Sequence, residues 1–340
     1  MFGADGAEHR AARRRLAPLF AAEAVVQHRS AIEQITAAHV AAWPRGRPTR
    51  LLPRMRAVVD EVFVRRLLGV RDARRAAAMA MAIGRMLWTP GNPPLTIPGR
   101  GNGVLGTVGT AVFARKRAPL ARLLAEEIDA RRRQPQCDDD VLARVLQDEP
   151  HVSTAAVVDE LLALLMAAQE PAAAALTWLL ERLARHPRLA DRVAAGARDD
   201  PARDAIVRES LRLRPAAIAA LRRLTEPRTV AGHRLPAGVV VMVPIPLVHR
   251  DPGAYDAPDE FRPDRWRTAS PPTAYWPFGG GARRCIGELL ALEYMSAVVP
   301  AVLRRVRLRA SWPRPERMVL RGTILVPHRG ALMTVEGGVR

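Results

Sequence analysis

One stretch near the end of the chain constrains its fold and chemistry more than any other: Phe278-Gly-Gly-Gly-Ala-Arg-Arg-Cys-Ile-Gly287. Consecutive glycines ahead of a cysteine let the backbone pass close to a flat ligand and aim amide N–H groups at the sulfur. Such donors tune a metal-bound thiolate. The residues from Ile286 to about Arg305 read as a helix, so Cys285 stands at its positive N-terminal end, where an anionic sulfur is favoured. Both effects are expected to lower the pKa of the thiol. Arg283 can project beside the sulfur and pair with a carboxylate. The plain alternative is a glycine-rich turn around an inert buried cysteine. Against it stands the fixed spacing of Phe278, Gly281, Arg283, Cys285 and Gly287.

The rest of the chain must build a core around that loop. With 340 residues, 49% hydrophobic and 4% aromatic, it can form one large core or two small ones. Its two cysteines lie in unlike surroundings, Cys285 among glycines and Cys137 beside Asp138, Asp139 and Asp140, which gives no disulfide framework and fits a reduced, cytoplasmic protein. Cys137 is expected unliganded in a surface loop, with a metal role beside those aspartates as the alternative. The first residues lack the basic start and apolar run of an export signal. The longest apolar stretch, Leu161 to Leu180, contains Gln169, Glu170 and Pro171, which are costly at a bilayer centre, so a buried helix is expected and no membrane span. The net charge of +19 comes from arginine, with Lys116 the only lysine. Clustered arginine attracts phosphate and acidic surfaces, so a nucleic-acid-binding protein is the rival reading. No zinc-finger spacing or aromatic–basic RNA motif accompanies the charge, and specific nucleic-acid binding is not expected.

Apolar periodicity predicts helices from Glu8 to about Val70, punctuated at Pro44, Gly46 and Pro48, and again almost to Pro215. The main break is a long loop, Thr89 to Gly109, rich in proline and glycine; loops of this length often act as lids or binding loops. Ser153-Thr154 can cap the longest helix, which runs to about Arg185 and is ended by His186-Pro187. After Pro215, β-branched runs at Thr229 to Val243, Met318 to Val326 and Ala331 to Val335 predict small sheets.

The Phe-x-x-Gly-x-Arg-x-Cys-x-Gly pattern of Phe278 to Gly287 resembles the cysteine-ligand loop of the cytochrome P450 family, bacterial type. Other elements fall in the family's order. Glu209-Ser-Leu-Arg212 resembles its Glu-x-x-Arg pair, whose members share a helix face. Phe261-Arg-Pro-Asp-Arg-Trp266 resembles its Pro-Glu-Arg-Phe element, so that Arg265 would complete an ion network with Glu209 and Arg212. His9 and Arg13, four apart, resemble the pair that binds haem propionates, with an exposed helical face as the bland alternative. Arg222 matches a further propionate-binding arginine, with Arg223 as its neighbouring competitor.

The resemblance implies a mainly α fold with small β-sheets, a single haem-binding domain over residues 1–340, haem b as cofactor and Cys285 as the iron's thiolate ligand. Phe278, Gly279, Arg283 and Gly287 would shape the site. It also implies a monooxygenase that inserts one oxygen atom of O2 into an organic substrate, fed by a ferredoxin or flavoprotein. The basic residues Arg13 to Arg15, Arg283 and Arg284 suit an acidic partner. The small, apolar stretch Ala216 to Leu221 suggests an apolar substrate.

Two departures qualify this. Ala167-Ala168-Gln169-Glu170-Pro171 aligns with the family's Ala-Gly-x-Glu/Asp-Thr oxygen-binding groove, so Ala168 and Glu170 keep catalytic positions while proline replaces the alcohol. Pro171 also removes a backbone donor and clashes near Ala167, at about 3 kcal/mol in a regular helix. Second, Met1 to Phe20 resembles an internal helix of the family, so the fold is expected to lack its N-terminal part, on the order of a hundred residues for a chain this short. These departures leave two alternatives: a catalytically impaired haem-binding remnant, and a peroxide-driven or isomerising haem enzyme.

Overall fold

The computed structural model describes residues 5–87, 104–134, 140–197, 200–267 and 273–337. Helices dominate the first two thirds: α1 (Gly6–Leu16), α2 (Ala22–Val26), α3 (Arg29–Ala41), α4 (Leu51–Val62), α5 (Ala73–Leu87), α6 (Val104–Arg133), α7 (Val141–Asp148), α8 (Thr154–Ala184), α9 (Pro187–Ala195) and α10 (Pro201–Leu213). The last third mixes β2 (Ala219–Arg223), β3 (Arg228–Val230), β4 (His233–Leu235), β5 (Val240–Pro244), α11 (Ile245–Val248), α12 (Glu288–Leu303), β6 (Arg307–Ala310), β7 (Met318–Arg321), β8 (Ile324–Pro327) and β9 (Leu332–Glu336). The early strand β1 (Pro48–Arg50) lies where the sequence showed only punctuation. It pairs antiparallel with β9, setting Thr49 opposite Met333. A three-residue strand carries no readable period, and its partner lies at the far end of the chain.

The small sheets are antiparallel: β1-β9-β6, β2-β5, β3-β4 and β7-β8. The core sits among the helices, with α8 packed against α4, α6, α10, α12 and β8. Its apolar residues run round most of its circumference, as in a helix surrounded by protein. Leu161, Leu165, Leu176, Trp178 and Leu180 are all buried, each aliphatic one contributing roughly 1.5–3 kcal/mol relative to exposure. Helix α8 is long and apolar enough to cross a membrane, yet 72% of its most apolar window is buried inside the protein. The indole N–H of Trp178 donates to the Leu325 carbonyl at 3.0 Å, tying the helix to β8. At its start Ser153 Oγ accepts from the Ala156 N–H, and Arg185 at its end precedes His186-Pro187.

Residues 104–109, expected within the long loop, are the first turns of α6 instead. The two glycines there cost about 1 kcal/mol each, but extending an existing helix is far cheaper than nucleating one. The remainder of that loop, 89–103, lies outside the described residues, as do Cys137, Asp138 and Asp139. Asp140 is described and caps α7, with Oδ1 accepting from the Ala143 N–H at 2.8 Å.

Candidate active site around Cys285

The Glu209–Arg212 pair on α10 is a densely hydrogen-bonded buried centre. Both side chains are fully buried on α10, and their i, i+3 spacing lets them meet along two hydrogen bonds, 2.9 and 2.8 Å. Arg212 spends its remaining donors on the carbonyls of His249 (2.8 Å), Pro258 (2.6 Å) and Glu260 (3.0 Å). Glu209 also accepts from the Arg262 N–H at 2.9 Å, from Arg265 Nε at 3.1 Å and from the Trp266 indole at 2.9 Å. Burial pushes the Glu209 carboxyl up, but these donors outweigh it and hold its pKa below the ordinary value. The structure thus brings together Glu209, Arg212 and Arg265, and adds Trp266, whose indole uses the position that the sequence showed as a substitution.

This centre reaches the start of the cysteine loop through Trp266, whose ring meets that of Tyr275 at 4.6 Å, and through Tyr255, which lies under the Arg212 guanidinium and donates to the Ala274 carbonyl at 3.3 Å. Trp276 C=O accepts from the Gly279 N–H at 3.1 Å, and Phe278 C=O accepts from the Cys285 N–H at 2.9 Å, closing the loop on itself. Gly279 and Gly281 have φ of 69° and 66°, the left-handed region that a side chain strongly disfavours. Phe278 packs on the core, whereas Cys285 is an exposed residue of the loop although neighbouring chain crowds its sulfur.

The expected low thiol pKa is not found. Desolvation by the chain around the sulfur raises it, Glu288 adds to that, and the opposing Gly287 N–H, Arg13 and Arg284 do not compensate. The helix of Cys285 brings the acidic Glu288 in its first turn, which cancels part of the dipole's help.

Basic side chains converge on the same loop from distant parts of the sequence. Arg13 of α1 donates to the Arg284 carbonyl at 2.7 Å, and Arg222 of β2 to the Gly280 carbonyl at 3.0 Å. His9 is buried at 6% exposure, so it does not belong to an exposed helical face. Its pKa is lowered by desolvation, then by the charges of Arg283 and Arg13. Arg283 does pair with a carboxylate, that of Asp5. Arg284 forks onto Glu288 at 2.5 and 2.6 Å, and Arg15 turns away to Glu149 and Glu160. The basic face expected from Arg13 to Arg15, Arg283 and Arg284 is therefore partly neutralised at the surface.

Helix α8 runs unbroken through Pro171. Its open face carries small residues, with Ala163 and Ala167 exposed and Ala168, Pro171 and Ala172 half-buried. Pro171 offers no N–H to the Ala167 carbonyl. Thr177 cannot stand in for the missing alcohol, because it is fully buried and its hydroxyl donates to the Ala173 carbonyl at 2.6 Å. Glu170 points into a buried fork: Arg56 of α4 donates through Nε at 2.9 Å and through a terminal nitrogen at 2.6 Å. Desolvation nonetheless leaves the Glu170 pKa above the ordinary value. No sequence signal links Arg56 to Glu170, since they stand 114 positions apart on different helices.

A cleft of about 610 Å³ opens between α1, the end of α7 and the first half of α8. Its lining includes Glu8, Glu149, Asp159, Glu160 and Arg15 and none of the cysteine-loop residues.

The comparisons with known proteins agree with this architecture. The cytochrome P450 family model matches residues 1–335. A putative cytochrome P450 135B1 of Mycobacterium tuberculosis is 37% identical over 349 residues, covering 97% of this chain and 73% of that protein. A putative cytochrome P450 138 of the same species is 33% identical over 347 residues, covering 97% and 77%. Among solved structures, a retinoic acid-bound cyanobacterial cytochrome P450 superposes with a TM-score of 0.82 at 23% identity, over 98% of this chain and 79% of that one. A six-coordinated cytochrome P450 from Thermus thermophilus superposes at 0.72 with 27% identity, over 98% and 81%. This chain belongs to the cytochrome P450 family, whose members are haem-thiolate monooxygenases that act on organic substrates with electrons from a redox partner.

The residues fit the family's cofactor. An exposed loop cysteine with a backbone N–H on its sulfur is a metal donor of the required kind. Cationic side chains from α1 and β2 stand beside it, suited to paired carboxylates.

Proposed function

We propose that the chain works as a single haem-binding unit, a cytoplasmic monooxygenase for an apolar organic substrate, with haem b held by Cys285. The observation that carries this reading is the exposed residue Cys285 in a glycine loop whose start is tied to the buried Glu209–Arg212 pair. Bound there, a thiolate-ligated haem supplies the redox chemistry that splits dioxygen and places one oxygen atom on carbon. His9, Arg13 and Arg222 would bind its carboxylates, the two arginines exchanging their loop-carbonyl partners where needed. Phe278, Gly279, Arg283 and Gly287 fix the loop's path, and the Gly287 N–H steadies charge on the sulfur. Ala168 leaves room on the open face of α8, and Glu170 is the acid nearest the helix's altered position. A ferredoxin or flavoprotein serves as the electron donor. The half-buried residues Ala216 to Ala220 and the exposed Leu221 support an apolar substrate.

The test is the spectrum of the reduced, carbon-monoxide-bound protein. A thiolate-shifted Soret band, absent in Cys285→Ala, is the expected result. Failure to retain haem, or an unchanged spectrum in the variant, overturns the reading.

A second reading, a peroxide-driven or isomerising haem enzyme, is favoured by one specific arrangement. Pro171 has no hydroxyl, and both oxygens of Glu170 are engaged by Arg56. Pro171→Thr is expected to raise product formed per NADPH consumed if dioxygen is the oxidant. Unchanged coupling, together with faster turnover on added hydrogen peroxide, favours the second reading.

A further inference from the structure

His249 lies just beyond α11, far in sequence from both the Glu209–Arg212 pair and the cysteine loop, and it touches both. Its imidazole is fully buried. One ring nitrogen, Nε2, accepts a hydrogen bond from the Trp276 N–H at 2.7 Å. A nitrogen that accepts from an amide carries no proton, so the proton of the neutral ring resides on Nδ1. Nδ1 lies 3.0 Å from the Arg212 carbonyl oxygen and donates to it. The backbone of His249 closes the same circuit, its carbonyl accepting from the Arg212 guanidinium at 2.8 Å. Tyr275 stacks on the ring at 5.6 Å with planes 21° apart. Burial, with the charges of Arg212 and Arg250, lowers the His249 pKa to about 4, which keeps the ring neutral and the tautomer fixed.

Trp276 is where the cysteine loop begins. Its carbonyl receives the Gly279 N–H, and the next turn is closed by Cys285 N–H on Phe278 C=O. The loop glycines have no side chains to lock the path, so the loop's entry point must be held from outside. Arg265 and Trp266 bind Glu209 but do not reach Trp276 directly. Tyr255 and Tyr275 tie the preceding residues to this region, Tyr255 through the Ala274 carbonyl and Tyr275 through the Arg208 carbonyl, but among the described residues it is the imidazole that bonds the Trp276 backbone itself.

We propose that His249 is a positioning residue for the thiolate: it transmits the placement of the buried Glu209–Arg212 pair to the cysteine loop through the Trp276 N–H. This rests on the reading of Cys285 as the haem ligand. Loss of the Nε2 acceptor frees the Trp276 amide and lets the loop swing, so the sulfur spends less time where it can ligate. The two ring nitrogens can be separated by substitution. In His249→Gln the amide oxygen stands as many bonds from Cβ as Nε2 does and can still accept from Trp276. In His249→Asn the amide nitrogen replaces Nδ1 alone and keeps only the Arg212 contact.

Three readouts apply to the full chain carrying each substitution, with His249→Ala as the third variant. The first is haem bound per chain. The second is the share of the carbon-monoxide complex showing the thiolate-shifted band. The third, which needs no haem, is hydrogen exchange of the peptide spanning Trp276 to Cys285. His249→Asn and His249→Ala are expected to exchange about tenfold faster in that peptide. In both, the thiolate-shifted share should fall to about half or less, while His249→Gln stays near wild type. Should His249→Ala fail to fold, the Gln and Asn variants decide by themselves. A wild-type thiolate share and exchange rate in His249→Asn overturn the proposal, as does an equal loss in Gln and Asn. A wild-type protein without the shifted band overturns the ligand reading and this proposal together.

Discussion

At the residue scale, the groove of α8 differs from what its alignment suggests because of what faces it. Glu170 is an ion-pair member, with Arg56 at 6% exposure and Glu170 at 8%. Breaking such a buried pair from one side leaves an uncompensated charge, whereas its intact form adds little. Beside it Asp60 of α4 is buried with an unpaired Oδ1, and the Gln169 amide has both polar atoms buried without a partner among the described residues. Gln169 stands near enough to favour the Asp60 charge but outside bonding geometry. Desolvation, then Glu170, raises the Asp60 pKa to about 7 against the pull of Gln169 and Arg56. A carboxyl with a raised folded-state pKa binds its proton more tightly in the native state. Its contribution is therefore fully present below about pH 3.8 and is lost as pH rises through about 7. Asp60→Asn is expected to be more stable than wild type above pH 7, by up to the order of 4 kcal/mol, and equal to it near pH 4. Urea unfolding at both pH values checks this; a constant difference would show that the Asp60 pKa is not raised by folding.

At the element scale, the joints decide more than the helices do. After α4 the chain makes a π-helical turn, Phe63–Leu67, with Leu68 N–H bonded to Phe63 C=O, and then turns at Gly69 with φ of 66°. A Cβ at Gly69 would stand 2.1 Å from Asp140 Oδ2 and 2.5 Å from an Arg131 nitrogen. Those two side chains form a buried pair at 2.9 Å that joins α6 to the cap of α7, and Arg131 also holds the Gly69 carbonyl at 2.7 Å. Gly69→Ala combines left-handed strain with displacement of that pair and is expected to cost more than about 2 kcal/mol. Thermal unfolding of the haem-loaded variant measures it, and a midpoint within a degree of wild type would show that the joint yields freely. The caps were readable in advance at Ser153, because a cap is a local pattern of a hydroxyl before an apolar periodic run. The Gly69 joint was not, since its partners come from α6 and α7.

At the scale of the whole molecule, part of the positive charge that the sequence places at Arg13 to Arg15, Arg283 and Arg284 is taken up by ion pairs. Arg15, Arg283 and Arg284 are each paired with nearby carboxylates, so an acidic electron donor of the kind proposed would be attracted by the summed field more than by those guanidinium groups. Raising salt from about 0.05 M to about 0.3 M is expected to slow reduction by an acidic ferredoxin on the order of tenfold, leaving the carbon-monoxide spectrum unchanged. Stopped-flow reduction rates test this, and a rate indifferent to salt would remove the charge from the docking step.

The sequence by itself determined the cysteine loop, the Glu209–Arg212 pair, the long buried helix and the family to which they belong. Each is written in residues a few positions apart, where backbone geometry alone sets which side chains meet. Only the tertiary structure decided that Arg56 takes Glu170, that desolvation, with a smaller push from Glu288, raises the Cys285 thiol, and that His249 reaches Trp276. Those outcomes depend on which helix faces which and on how much water is excluded between them, and neither quantity has a period or a spacing in the chain.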